Sequence, residues 1–400
     1  MKDQTQIISD FIKGSNGLLK LRPAFVAHDF LPPGKRLGLK EEEYNAGKRG
    51  FYCERWFCSE THAVHEQDVP GEGISALEIP GENILLTEAL ETNGAEILGE
   101  AYYKKHGCLD RLAKIFDFGT RLFMHIHQKA ENLDADKNPK DEAYHFLDAP
   151  MGPHPESFFG VQRFLVENNM QYDYFLPLMQ KWEGGEEEIL KYSQAFLNVP
   201  GEGFFLDSGI LHAPGSALTM ELQESSDVGA IFQPVVSGYK ISKSMLAKDV
   251  PQAEIEKYGE ELAALHQVDW EASGDPEFFK KRHLFPRKVE ETAQGEVFEE
   301  WIYYGTPKFS GKRLLLKPGQ TFLSKEPGVH NLFIWHGEVD IDGVRMKAGA
   351  VDLEHCDDEL LVTHERALQG YTVKNTGDEE VALYKFFGPD IHMQTPSTGY

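Results

Sequence analysis

The 400-residue chain is poor in cysteine: only Cys53, Cys58, Cys108 and Cys356 occur. So sparse a set excludes a disulfide framework. Cys53 and Cys58 are by themselves too few for a structural zinc site and read as buried thiols. Positive charge is also scarce. Lys and Arg total 40 against 65 Asp and Glu, a formal net charge of −25. A nucleic acid or an anionic membrane surface needs the opposite field, so both are excluded as partners. No apolar run approaches the about 20 residues of a membrane span. The first residues, Met1 to Asp10, hold no apolar signal core, so the cytoplasm is the expected compartment. A small phosphorylated substrate stays compatible with the negative field, provided a local basic pocket receives it.

What is present centres on Phe123-Met124-His125-Ile126-His127. Side chains at i and i+2 project from one face of a strand, so the two imidazoles point together. Met124 and Ile126 take the opposite face, which predicts a strand covered on both sides. Two later stretches complete a ligand set: Lys140-Asp141-Glu142, and Asp207-Ser208-Gly209-Ile210-Leu211-His212. In the strand expected over 143–147, Glu142 and Tyr144 share a face and His145 takes the other. His125, His127, Glu142 and His212 make a donor set that suits Zn, Fe, Ni or Mn. Gly201-X5-Asp207-X-Gly209-X2-His212 is also similar to the second motif of the cupin barrels, with Asp207 where proline usually stands.

The remainder of the chain alternates between strand and helix signals. Short apolar segments with Gly and Pro connections fill 51–86, and helical spacing follows from Thr87 to Ala113, broken at Gly107. From Val161 to Leu197 the period changes to about 3.6, and Glu186-Glu187-Glu188 open a last helix, so 155–198 reads as a helical insertion. Pro251 opens an amphipathic helix carrying Ile255, Tyr258, Leu262 and Leu265. From Glu299 onward short strands dominate, and Asp342-Gly343 is a hairpin signal. The expected fold is mainly β: two cupin-type β-barrel (jelly-roll) lobes with a helical insertion and a helical crossover. The expected boundaries are an N-terminal metal-binding domain at 1–240, a helical linker at 241–298 and a C-terminal cupin-like domain at 299–400. His330, His336, His355 and His364 show no ligand spacing, so the last domain is expected to lack metal ligands.

The joint pattern resembles the type I mannose-6-phosphate isomerases, which are zinc-dependent bicupins. Ala113-Lys114-Ile115-Phe116-Asp117 stands where that family has its apolar lead segment. His127 matches the family's histidine ligand, and His125 stands in the place of its glutamine. Lys140-Asp141-Glu142 matches Lys-X-Glu, and Gly209 to His212 matches the last ligand turn. Glu221-Leu222-Gln223-Glu224-Ser225-Ser226-Asp227 matches the run that follows. The match extends from about 50 to 230 and is only architectural beyond. One family position departs: the catalytic arginine four residues after that aspartate is Ile231 here.

The resemblance implies one divalent ion, zinc first with Fe, Ni or Mn also suited, on His125, His127, Glu142 and His212. It further implies Lys140 as cation or proton donor and Glu221 as general base. The substrate would be a sugar or sugar phosphate isomerised by proton transfer between C1 and C2. Two other functions fit parts of the pattern. A non-catalytic sugar-binding or regulatory cupin would explain Ile231, and an Fe(II) cupin dioxygenase would use the same three His and one Glu. Trp56, Tyr144 and Phe205 read as core aromatics. Oligomeric state is not encoded in any of these features.

Overall fold

The alternating apolar segments form antiparallel sheets in the computed structural model, which describes residues 3–63, 69–184 and 188–399. Its contacts divide the chain into two units. One draws on residues 1–27, 36–115 and 286–397, the other on 28–35, 116–285 and 398–400.

In the first unit eight strands run in the order Arg287–Lys288, Glu299–Tyr303, Ser310–Leu316, Val381–Phe387, His330–His336, Glu359–Val362, Leu18–Arg22 and Ala76–Leu77. Four more form a second sheet: Thr321–Ser324, Tyr371–Asn375, Glu338–Ile341 and Val344–Lys347. Alternation assigns each residue its side. Leu18, Leu360 and Val362 join a core with Phe322, Val339, Ile341 and Val373 of the smaller sheet. Leu19, Leu21 and Leu361 instead pack on Ile8 and Ile12 of the helix Gln4–Gly14 and on Leu86, Leu90 and Ile97 of the helix Leu86–Leu98. The hairpin at Asp342-Gly343 forms as expected, with both residues at positive φ (47° and 93°), the geometry of a type I′ turn.

The second unit carries the predicted site. One sheet runs Ala230–Ile231, His125–Ile126, His212–Ala213, Glu156–Val161 and Ser193–Leu197. Four further strands run His283–Leu284, Gly203–Leu206, Glu142–Phe146 and Thr219–Gln223. Met124 and Ile126, both fully buried, face a helical layer that contributes Phe175, Met179, Ala263, Leu265 and Trp270. His125 and His127, which alternate with them, are thereby turned the other way.

Three expectations about helices are corrected. Among the described residues, the insertion read over 155–198 is α-helical only at Arg163–Glu167 and Gln171–Gln180. Its ends are the paired strands Glu156–Val161 and Ser193–Leu197, because Ser157-Phe158-Phe159 and Gln194-Ala195-Phe196 favour the pleat. Glu186 and Glu187 lie outside the described residues, and Glu188–Tyr192 is a 3₁₀ turn rather than an α-helix. The amphipathic helix after Pro251 is two helices, Gln252–Tyr258 and Glu260–His266. Gly259 separates them at φ 81°, a conformation that closes the first helix. Among the described residues no helix is long and apolar enough to cross a membrane. All four cysteines are free thiols, with Cys53, Cys58 and Cys356 buried.

Candidate metal centre

The short strand His125–Ile126 pairs on one side with His212 and on the other with Ile231, each directly opposite His125. Directly opposed residues share a face, so pairing brings His212 beside His125. The two rings lie 3.9 Å apart, centroid to centroid. His127, two residues on, completes a group whose ligand atoms all lie within 4.8 Å of one another. Among the described residues this is the one such group of three or more potential ligands.

Each ring is fixed from behind. His125 Nδ1 lies 2.7 Å from the Phe123 carbonyl, His127 Nδ1 2.7 Å from that of Val228, and His212 Nδ1 2.8 Å from that of Ile210. A carbonyl only accepts, so each Nδ1 carries the hydrogen and donates it. Every Nε2 is then left with a bare lone pair, the tautomer a metal requires. Burial comes first in keeping two of the rings neutral: His125 is held well below the ordinary histidine range by burial and then by the neighbouring imidazoles, and His127 is lowered to about 4 by burial and then by Lys140.

The opposing face comes from the strands Glu142–Phe146 and Thr219–Gln223, where Glu221 pairs with Tyr144 and Gln223 with Glu142. Glu142 and Glu221 therefore project together. Glu142 Oε2 lies 3.1 Å from His127 Nε2, and Glu142 Oε1 lies 3.0 Å from His212 Nε2. Lys140 Nζ stands 3.0 Å from Glu142, 3.3 Å from Glu221 and 3.2 Å from His127 Nε2. All of these side chains are buried. Burial works against charge on both Lys140 and Glu142, and the ion pairing outweighs it. Lys140 is raised by Glu142, Glu221 and Asp227, and the Glu142 carboxyl is held well below its usual range by Lys140, His127 and His212. His212 Nε2 and Glu142 Oε2 are buried among charged neighbours yet meet none in hydrogen-bond alignment. Such atoms cost free energy unless something satisfies them.

The loops that aim these groups are tied to one another. Gly209 sits at φ 89°, where a side chain would be strained and its Cβ would meet that of Asp269 at 3.0 Å. Its N–H donates to the His127 carbonyl at 2.6 Å, docking the turn before His212 onto the strand that carries His127. Asp141, between Lys140 and Glu142, accepts from the Ser208 N–H at 2.8 Å, while its own N–H donates to Glu224 at 2.9 Å.

The structure thus brings His125, His127, Lys140, Glu142, His212 and Glu221 into one cluster, all buried except the half-buried His125. His145, one residue out of phase, is not in the histidine group. Ile231 lies opposite His125, so the position where the resemblance expects arginine holds an apolar side chain beside the cluster. Two contributors escaped the sequence reading. Tyr144, taken as core, donates its hydroxyl to Glu142, and Asp141 joins two loops. The Glu142/Tyr144 spacing of two was the available signal for the first.

The donor set fits a divalent ion: three preset imidazole lone pairs, a carboxylate, and one ammonium against two carboxylates in a buried space.

The sequence matches no family model and no curated protein. Solved structures do match. Over 93% of its length the chain is similar to a point variant of phosphomannose isomerase from Salmonella typhimurium, covering 100% of that chain at 14% identity with a TM-score of 0.59. Over 92% it is similar to the mannose 6-phosphate isomerase of Bacillus subtilis, covering 99% of that chain, also at 14% identity and a TM-score of 0.59. At these identities the likeness is one of fold: the chain has the mainly β, cupin-type fold of these isomerases.

Proposed function

We propose that the chain is a metal-dependent aldose–ketose isomerase acting on a sugar or sugar phosphate. The carrying observation is the convergence of three preset imidazole lone pairs and Glu142 with the Lys140/Glu221 pair, on a fold shared with sugar-phosphate isomerases. His125, His127, Glu142 and His212 would hold the ion. The reading takes zinc as that ion and the cytoplasm as the compartment. When bound, a divalent ion there supplies Lewis-acid polarisation and a template for the substrate oxygens.

The remaining work falls to the chain's own side chains. Glu221, on the wall facing the histidines, takes the proton from the carbon next to the carbonyl and returns it to the neighbouring carbon. Lys140, a buried ammonium 3.3 Å from Glu221, stabilises the charge that develops on the substrate oxygen. Tyr144 holds Glu142 in the orientation a ligand needs. Gly209 and Asp141 keep the two ligand loops in register.

Ile231 favours a second reading. On that reading the site, without an arginine there, takes sugars that the named isomerases do not, or binds sugar without turnover. Proton exchange at C2 in D2O, followed by NMR, separates these. The metal-loaded protein is offered mannose 6-phosphate, fructose 6-phosphate and free aldoses and ketoses. Exchange with one of them, lost in Glu221→Gln, is the expected result. No exchange from a fully metal-loaded protein would leave the binding role.

A further inference from the structure

The three rings of the metal centre are not held alike. His125 and His212 each give the Nδ1–H to a carbonyl two residues back on their own segment, Phe123 and Ile210. His127 gives its Nδ1–H to the Val228 carbonyl at 2.7 Å, 101 residues further along the chain. Val228 lies in the loop between the strands Thr219–Gln223 and Ala230–Ile231. The aim of His127 therefore depends on what fixes the Val228–Gly229 amide.

Asp249 holds that amide from its other side. The Gly229 N–H, in the same amide as the Val228 carbonyl, donates to Asp249 Oδ2 at 3.0 Å. The amide also lies close to the ring, since a Cβ on Gly229 would stand 3.6 Å from His127 Nδ1. Asp249 is itself placed with care. Its Oδ1 lies 2.8 Å from Lys137 Nζ. The carbonyl of Lys248 accepts at 3.0 Å from Nε2 of the buried Gln128, the residue after His127. Lys248 Nζ donates to the Asp227 carbonyl at 3.3 Å. Asp249 sits at φ 58°, in the left-handed region that aspartate tolerates better than most residues. Residues 248 and 249 thus grip both the strand end that carries His127 and the loop that supports its ring.

We propose that Asp249 is a positioning residue for His127, acting through the Val228–Gly229 amide: its carboxylate takes the amide N–H, and the amide carbonyl takes the Nδ1–H of the ring. The proposal rests on the reading of His127 as a metal ligand. Hydrogen bonds in a chain polarise one another. A carboxylate on the amide N–H makes the carbonyl a stronger acceptor. The carbonyl then holds His127 as the Nδ1–H tautomer and leaves Nε2 the better donor to a cation.

The test measures zinc affinity of the full chain by chelator competition and, on the metal-free chain, the ring-nitrogen resonances of its histidines by NMR. Asp249→Ala is expected to lower zinc affinity by about three- to tenfold, less than the about 10–100-fold of a partner that touches the ring itself. Asp249→Asn keeps an oxygen for the Gly229 N–H but loses the charge, and should lose only about two- to threefold. In both metal-free variants the His127 nitrogens shift towards a mixture of tautomers, further in Asp249→Ala, while those of His212, held by its own segment, stay in place. Circular dichroism checks each fold. Three results overturn the proposal: zinc affinity unchanged in folded Asp249→Ala; Asp249→Asn losing as much as Asp249→Ala; or His212 nitrogens moving as far as those of His127. If Asp249→Ala does not fold, Asp249→Asn carries the test, and unshifted His127 nitrogens in it overturn the proposal. A folded wild type that takes up no zinc instead overturns the metal reading, and the metal-free spectra still decide whether Asp249 sets the His127 tautomer.

Discussion

Lys385, in the strand Val381–Phe387, and Lys140, just before the strand Glu142–Phe146, are both buried, 0% and 5% exposed, and their surroundings differ in how the hydrogen bonds close. Around Lys385 every group finds its complement. Its three N–H bonds go to Glu299, to Ser324 Oγ at 2.6 Å and to Glu326 Oε1 at 2.7 Å. Lys312 donates to the other oxygen of Glu326 at 2.8 Å, so two ammoniums face two carboxylates. The nearby His330 gives its Nδ1–H to the Gly328 carbonyl at 2.9 Å and accepts the Tyr371 hydroxyl at 2.7 Å. Around Lys140 one ammonium faces two carboxylates and three imidazoles. His127 Nε2 meets a donor in Lys140 and one Glu142 oxygen in the Tyr144 hydroxyl, while His212 Nε2 and Glu142 Oε2 meet none in hydrogen-bond alignment. A buried cluster with balanced donors and acceptors holds sheets together. One with surplus acceptors could hold a cation from outside.

The contrast can be broken from the balanced side first. Lys385→Met leaves Glu299 and Glu326 buried with Lys312 between them and His392 against Glu326. The expected cost is about 3–5 kcal/mol of stability, read from urea unfolding, with metal content unchanged. A loss under about 1 kcal/mol would mean that the network carries little.

On the other side, Tyr144→Phe removes the hydroxyl that orients Glu142. Metal affinity, measured by chelator competition, is expected to fall by about 10–100-fold, with stability nearly unchanged. An unaltered affinity would remove Glu142 from the centre or Tyr144 from its support.

The third effect is a slope. Burial lowers His330 to about 3 from its ordinary 6.5. As pH falls below about 6.5, the unfolded chain takes up this proton before the folded one does. Stability is then fully present above pH 6.5 and lost towards pH 3, by about 1.4 kcal/mol per pH unit. Glu326, held well below the carboxylate range by Lys385 and Lys312 despite its burial, adds loss of the same sign once pH falls below its unfolded value. His330→Gln should therefore flatten the decline between about pH 6.5 and 4.5. An unchanged profile would show that His330 is not the titrating group.

The two clusters also differ in how far sequence exposes them. The metal-centre residues sit at short, periodic intervals: His125 and His127 two apart, Lys140 and Glu142 two apart, and a Gly209 turn three residues before His212. Strand geometry turns such spacing directly into shared faces. Tyr144 obeyed the same rule and was passed over because an aromatic in an apolar strand has a simpler use in the core. The Lys385 network offers no local spacing, since Glu299 lies 86 residues away and Glu326 59. The early strand Leu18–Arg22 is similarly opaque, because its partner is Glu359–Val362, from the far end of the chain. Gly259 was legible as a helix end, but the apolar spacing running through it masked the break.

Metal stoichiometry by plasma mass spectrometry tests the central claim most directly. The purified wild type and His145→Ala should each carry about one divalent ion per chain, and folded His127→Ala and His212→Ala should carry none. A natively folded wild type that takes up no ion, or an ion retained in both His127→Ala and His212→Ala, would contradict the account.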